Sequence, residues 1–255
     1  MAWSVGAGIE GKGVIVTGAA GGMGRPVAEA FAAAGAKVMA VDLHADAAAE
    51  VVAGLEGEGH VAAGLDLSDL DAQTALVERA KSELGGVYAL AHLAAVLRRR
   101  DSLGAVTEDD WDFQVDTNLK ASFFLCRAVA EAMKEGGEGG RIIAFTSQGW
   151  WTGGFGGSVV YCASKGGIVS MVRGLARTFG PDGITVNAVA PGQIETPMLM
   201  TDLDPAVLQR LLDATPLGRI GQPEEMAGTV VFLASQHASY ISGATINVSG
   251  GQLMY

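Results

Sequence analysis

The chain has 255 residues, 49% of them apolar, enough for one large α/β domain or two small ones with a sizeable core and no need of disulfide or metal staples. Its 17 basic and 28 acidic side chains leave a formal charge of −11, which disfavours nucleic acid as a partner; the only basic run is Arg98-Arg99-Arg100. Two cysteines, Cys126 and Cys162, form no disulfide framework and no metal-ligand pattern, and no apolar run approaches the roughly 20 residues of a membrane span. A soluble, cytoplasmic protein with no metal and no membrane association is expected, and the opening MAWSVGAGIEGK lacks the charged start and apolar core of a targeting segment.

Short β-branched runs alternate with longer alanine-rich segments of helical period. GVIVTG leads to a helix from about Gly22, KVMAVDL to one from His44, and HVAAGLDL to one over 69–84. VYALAHL precedes a long helix from Thr107 into the 130s, and RIIAFTS one from about Ser158 to Phe179. ITVNAVAP opens an irregular stretch between Pro191 and Pro223, with a helix around Pro205 to Ala214; a helix over 223–234 and the run ATINVSG complete the series. Seven strands separated by helices predict a parallel sheet covered on both faces, a single-domain, Rossmann-like, doubly wound α/β fold over residues 1–255. The segment at about 193–222 reads as a substrate lid, because long irregular insertions are more often functional than idle.

In such a sheet, ligands collect at the carboxyl ends of the strands. The first strand ends in TGAAGGMG, where Gly18, Gly22 and Gly24, with Met23 among them, let backbone amides and a helix N-terminus approach a pyrophosphate. Asp42 ends the second strand twenty-four residues after Gly18, close to the roughly 20-residue offset at which an acid accepts from an adenosine ribose, and its charge predicts NAD over NADP. Asp66 and Leu67 end the third strand in the same layer, where the carboxylate accepts from an adenine amino group or belongs to a helix cap at Ser68 or Asp69. Tyr161 and Lys165 stand i and i+4 on one predicted helix, among Val159, Val160, Ala163, Gly166 and Gly167. An ammonium beside a phenol favours the phenolate, the direction a general base at neutral pH requires. Ser147, fourteen residues earlier at a strand end, can polarise the same carbonyl.

Taken in order, TGAAGGMG, Asp42, Asp66-Leu67, Asn118 in DTNLK, Ser147, YCASK, VNAVAPGQIETP and VSGG resemble the short-chain dehydrogenase/reductase family from Val14 to Gly251. The resemblance implies Tyr161 as the acid/base, Ser147 as orienter of the substrate oxygen, Lys165 as the group that lowers the phenol pKa and binds the nicotinamide ribose, and Asn118 as holder of a proton-relay water. It implies further cofactor contacts at Ala94, Pro191, Gly192, Ile194 and Thr196, and a homotetramer built on the two long helices. The chain departs from the family at His92-Leu93-Ala94-Ala95, where Asn-Asn-Ala-Gly is usual; the change removes asparagine hydrogen bonds and a glycine, and leaves His92 either as a replacement partner or as a core residue.

Trp150, Trp151 and Phe155 fall between Ser147 and Tyr161, and with Met198, Leu199 and Met200 they predict a bulky apolar or aromatic secondary alcohol or ketone. Gln148 and Gln193 are candidate polar contacts to it. The expected activity is NAD-dependent interconversion of such an alcohol and ketone. The alternatives are a dehydrogenase of a sugar or sugar acid received by Arg98-Arg99-Arg100, an NADP-dependent 3-oxoacyl-[acyl-carrier-protein] reductase, and a dinucleotide-binding regulator without turnover.

Overall fold

The computed structural model describes residues 4–154, 156–201 and 203–255. Seven strands, β1 (Gly13–Thr17), β2 (Lys37–Asp42), β3 (Val61–Gly64), β4 (Ala89–His92), β5 (Gly140–Phe145), β6 (Ile184–Pro191) and β7 (Thr245–Val248), form one parallel sheet in the order β3-β2-β1-β4-β5-β6-β7. The doubly wound expectation is met. The order reverses between β1 and β4, where Thr17 and His92 stand opposite each other at the carboxyl ends of the two strands. A reversal of this kind opens a crevice above the sheet.

The central strands are buried throughout because they are continuous runs of Val, Ile, Leu and Ala, which can be covered on both faces. Helices α1 (Gly24–Ala33), α2 (Ala45–Ala53), α3 (Leu70–Leu84), α4 (Glu108–Val115), α5 (Ala121–Gly136), α6 (Gly149–Thr152), α7 (Val159–Phe179), α8 (Pro197–Met200), α9 (Pro205–Asp213) and α10 (Glu224–Ala234) fill the connections. The apolar stripes of α3, α5 and α7 pack with Ile15, Leu90 and Ile142 on one face, and those of α1 and α10 with Val14, Val16 and Ile143 on the other. Each fully buried Ile or Leu contributes roughly 1.5–3 kcal/mol.

The long helix expected from Thr107 into the 130s runs without a break from Glu108 to Gly136, as α4 and α5 joined by a π-helical turn at Asp116–Lys120. The periodicity is nearly continuous, but the turn is widened around Asn118, whose side chain is engaged by the backbone of Val96. The sequence reading also missed the short α6.

The connection from β4 to α4 is held by charge. Asp110 closes the α4 capping box, its carboxylate accepting from the Thr107 N–H at 3.0 Å while its own N–H donates to Thr107 Oγ1 at 3.2 Å. The same carboxylate takes Arg100 Nε and Nη2 at 2.8 and 2.6 Å and Arg98 Nη1 at 3.1 Å. These bonds, led by Arg100, hold the acid far below the usual carboxylate range. Gly157, just before α7, lies against this loop: a Cβ there would stand 2.3 Å from the Arg100 carbonyl oxygen. The loop leaving β4 is therefore tied to both α4 and the start of α7. Asp110→Ala is expected to lower the thermal unfolding midpoint and to raise hydrogen exchange across residues 96–108 before the rest of the sheet; unchanged exchange there would show that the clamp is dispensable.

Candidate active site

The carboxyl ends of β1, β4, β5 and β6 bring the sequence candidates to one edge of the sheet. Gly18 follows β1 with φ +65°, and a Cβ there would stand 2.9 Å from the backbone N and Cα of Ala94. At Gly24 a Cβ would stand 1.9 Å from the Gly18 carbonyl oxygen, so the turn closes only without side chains at these two positions. Gly22 faces the Thr196 side chain. Helix α1 begins at Met23 with no side-chain cap and no acid in its first turn, and neither the Gly22 nor the Met23 N–H has a backbone partner among the described residues. Open amides at an uncapped helix start fit the phosphates of a dinucleotide.

Asp42 is anchored beside this turn, Oδ2 accepting from Ala20 N at 2.9 Å and Oδ1 from Leu43 N at 2.8 Å. Asp66 is an exposed side chain that takes both the N–H and the hydroxyl of Ser68 at 2.9 and 2.8 Å, whereas Asp69 caps α3. The neighbouring Leu67 is buried. Pro191 and Gly192 lie between two chain segments: the Pro191 carbonyl accepts from Gln148 N at 3.0 Å, and Gly192 N donates to Val248 O at 3.0 Å. Ile194 is buried and bridges to Gly221, so the start of the expected lid is fixed to its end. Gln193 lies with Ile194 and Arg219 on a cavity of about 240 Å³ whose walls include none of Ser147, Tyr161 and Lys165.

Ser147 and Tyr161 are hydrogen-bonded through their side chains, and Gly149 N donates to Ser147 Oγ at 3.1 Å. Burial pushes the Tyr161 phenol up to about 12; Ser147 and, more weakly, the positive charge of Arg99 pull the other way. The side chain of Lys165, one turn further along α7, is buried and its Nζ donates to the Phe145 carbonyl at 2.8 Å, 5.7 Å from the centre of the Tyr161 ring. Burial lowers the ammonium to about 8. The lowering of the phenol anticipated from Lys165 is outweighed by burial, and the opposing pull comes from Ser147 and Arg99. Thr146, which the sequence reading passed over, fixes this turn of α7 by donating to the Lys165 carbonyl at 2.7 Å.

Asn118 is fully buried, and its amide is occupied: Oδ1 accepts from Val96 N at 2.8 Å, while Nδ2 donates to Val96 O at 2.8 Å and Ser164 Oγ at 3.3 Å. The side chain therefore braces the exit of β4 against α7. Gln148 Oε1, one residue from Ser147, is buried with no hydrogen-bond partner among the described residues, a group that a ligand can satisfy. Trp150 and Trp151 do not stand free: their rings meet edge-on at 5.3 Å, and both contact Tyr255, at 5.3 and 5.7 Å. Met198 and Met200 are exposed on α8, and Phe155 lies outside the described residues. His92 is also brought into the site, hydrogen-bonded on both ring nitrogens.

A crevice that offers open amides on one side and a phenol bonded to a serine hydroxyl on the other fits a dinucleotide-dependent oxidoreductase of the doubly wound class. A family model described as enoyl-(acyl carrier protein) reductase matches residues 18–252. The Thauera aromatica (2S)-[(R)-hydroxy(phenyl)methyl]succinyl-CoA dehydrogenase subunit BbsD is 34% identical, with 97% of this chain and 99% of that one aligned. Escherichia coli 3-oxoacyl-[acyl-carrier-protein] reductase FabG is 38% identical over 96% and 98%. A short-chain type dehydrogenase/reductase from Mycobacterium marinum superposes with a TM-score of 0.90 at 31% identity, covering 97% of each chain. The chain belongs to the short-chain dehydrogenase/reductase family, oxidoreductases acting on CH–OH groups with NAD(P). No helix among the described residues is long and apolar enough to cross a membrane.

Two outcomes follow from this geometry. Gly24→Ala is expected to weaken NADH binding at least about tenfold by calorimetry, because the added methyl displaces Gly18; an unchanged Kd would remove the turn from the nucleotide site. Burial also depresses His92 to about 3. A histidine that binds its proton more readily when unfolded contributes stability that is complete above about pH 6.5 and is lost as pH falls toward 3, by up to about 1.4 kcal/mol per unit. Urea titrations of wild type and His92→Asn between pH 7 and 5 should show a shallower acid loss in the variant.

Proposed function

We propose that this protein is an NAD-dependent oxidoreductase interconverting a secondary alcohol and a ketone on a small apolar or aromatic substrate, with Tyr161 exchanging the substrate proton. The observation that carries the reading is the meeting of Ser147, Tyr161 and the buried Lys165 at the carboxyl end of β5. The bound dinucleotide supplies the hydride acceptor or donor. The residues that would hold it are Gly18, Gly22, Met23, Gly24 and Ala94 around the pyrophosphate turn, Asp42, Asp66 and Leu67 at the adenosine end, and Lys165, Pro191, Gly192, Ile194 and Thr196 at the nicotinamide end. Asp42 supports NAD: anchored by Ala20 and Leu43, it presents a fixed negative charge where a 2′-phosphate would otherwise stand.

The chain's own work is to orient and to move one proton. Ser147 Oγ accepts from Gly149 N and is hydrogen-bonded to the Tyr161 phenol, so a substrate oxygen that takes its place between the two groups is steered toward Tyr161. With its phenol pushed up to about 12, Tyr161 holds its proton at neutral pH and is ready to donate it to a carbonyl; oxidation of an alcohol needs the phenolate instead. Asn118, through Val96 and Ser164, keeps the β4 exit and α7 in register. Gln148 and Trp150 with Trp151 border the substrate side, the segment 193–222 with Gln193 and Met198 acts as its lid, and the whole is one domain. The aromatic preference is supported by the phenyl-bearing alcohol in the name of the Thauera relative.

A second reading, a sugar-acid dehydrogenase, is favoured by one observation: Arg98 and Arg100 are bound to Asp110, while Arg99 is exposed and its charge reaches Tyr161. Side-by-side calorimetry with NADH and NADPH, followed by NAD⁺ assays over aryl carbinols and sugar acids, tests both. NADH is expected to bind at least about tenfold more tightly; a preference for NADPH would overturn the role of Asp42. Tyr161→Phe should lower turnover by about 10² to 10⁴, and alcohol oxidation should rise with pH between 7 and 10 while ketone reduction does not.

A further inference from the structure

His92 occupies the carboxyl end of β4 opposite Thr17, at the reversal point of the sheet, and is almost fully buried. Its Nδ1 is 2.7 Å from Thr17 Oγ1 and its Nε2 is 2.7 Å from Ser122 Oγ. The protons in this chain can be assigned from its far end. Ser122 Oγ is 2.7 Å from the Asn118 carbonyl oxygen, which can only accept, so the single serine proton is committed there. Only lone pairs of Ser122 remain to face the ring; Nε2 must carry the proton. In a neutral ring Nδ1 is then bare and receives the hydroxyl proton of Thr17, whose oxygen in turn faces the Ala94 N–H at 3.4 Å. Each donor meets an acceptor, and the ring is held in one tautomer.

The series does not stop at Asn118. Its Nδ2 reaches Ser164 Oγ, and Ser164 donates to the Tyr161 carbonyl at 2.7 Å. An unbroken line of buried polar groups therefore joins Thr17, the last residue before the glycine-rich turn, to the backbone of the helix that carries Tyr161 and Lys165. Rigid, fully satisfied networks of this kind fix distances that apolar packing leaves adjustable.

We propose that His92 is a positioning residue that sets the spacing between the glycine-rich turn and α7, so that one dinucleotide can engage both ends of the crevice at once. It contacts no reacting atom; it acts through Thr17 on one side and through Ser122 and Asn118 on the other. The proposal rests on the dinucleotide reading given above. AMP, which occupies only the adenosine half, separates spacing from local damage to the turn. In His92→Leu, calorimetric Kd for NADH is expected to rise about tenfold while that for AMP changes less than about twofold. Ser122→Ala should reproduce the loss, and joining it to His92→Leu should add less than about twofold, as expected for two breaks in one chain. Equal weakening of AMP and NADH, undiminished NADH binding in His92→Leu, or additive losses would overturn the proposal. Wild-type protein that bound neither NADH nor NADPH would instead bring down the functional reading and the proposal with it. Should His92→Leu fail to fold, ¹⁵N NMR of the wild-type imidazole at pH 7 remains decisive: a neutral ring protonated on Nε2 is expected, and one protonated on Nδ1 refutes the network.

Discussion

Everything at the functional edge depends on the pairing of β1 with β4 in the middle of the sheet. These two strands are neighbours in space but are separated in the chain by β2, β3 and their helices, and they send their following segments to opposite faces. The crevice exists because of that divergence. Its floor is set by the register that places Thr17 opposite His92, and a slip of one residue would turn the whole β4 pattern over. The continuous apolar runs on both faces make such a slip costly, so packing energy is converted into the placement of a few polar groups.

Polar groups then do what packing alone cannot. The Lys165 ammonium is held away from solvent by a single carbonyl of β5, and Thr146 returns a bond to the same residue's backbone. Asn118 spends its amide on Val96 and Ser164. Asp110 gathers two arginines and a helix cap. In each case a side chain from one element satisfies backbone or charge on another, which is why the connections leaving β4 and β5 are ordered although neither is a regular element.

The strands and most helices were legible from sequence because they rest on local period: apolar runs of strand length, alanine-rich faces and glycine turns repeat along the chain. The ordered motifs likewise placed Ser147, Tyr161 and Lys165 together. What escaped was contact between distant residues. Nothing local shows that Asn118 reaches back twenty-two residues to Val96, which is why the widened π turn inside the expected helix was not foreseen. Nor does a pair of tryptophans reveal that its partner is Tyr255, over a hundred residues away. The upward shift of Tyr161 escaped for a related reason: burial by residues distant in the chain raises the phenol, and the sequence shows the neighbouring Lys165 but not that burial.

The aromatic group beside Ser147 has a practical side. Of the four tryptophans in the chain, two stand within four residues of that serine with their rings 5.3 Å apart. Trp111 sits half exposed on α4, outside that pair. Indole emission overlaps the absorption band of a reduced nicotinamide, so the Trp150–Trp151 pair forms a built-in energy-transfer donor next to the end of the crevice proposed for the nicotinamide. Occupancy of that end, as opposed to the adenosine end, can then be followed optically in the unlabelled protein, with Trp150→Phe and Trp151→Phe marking which ring reports it.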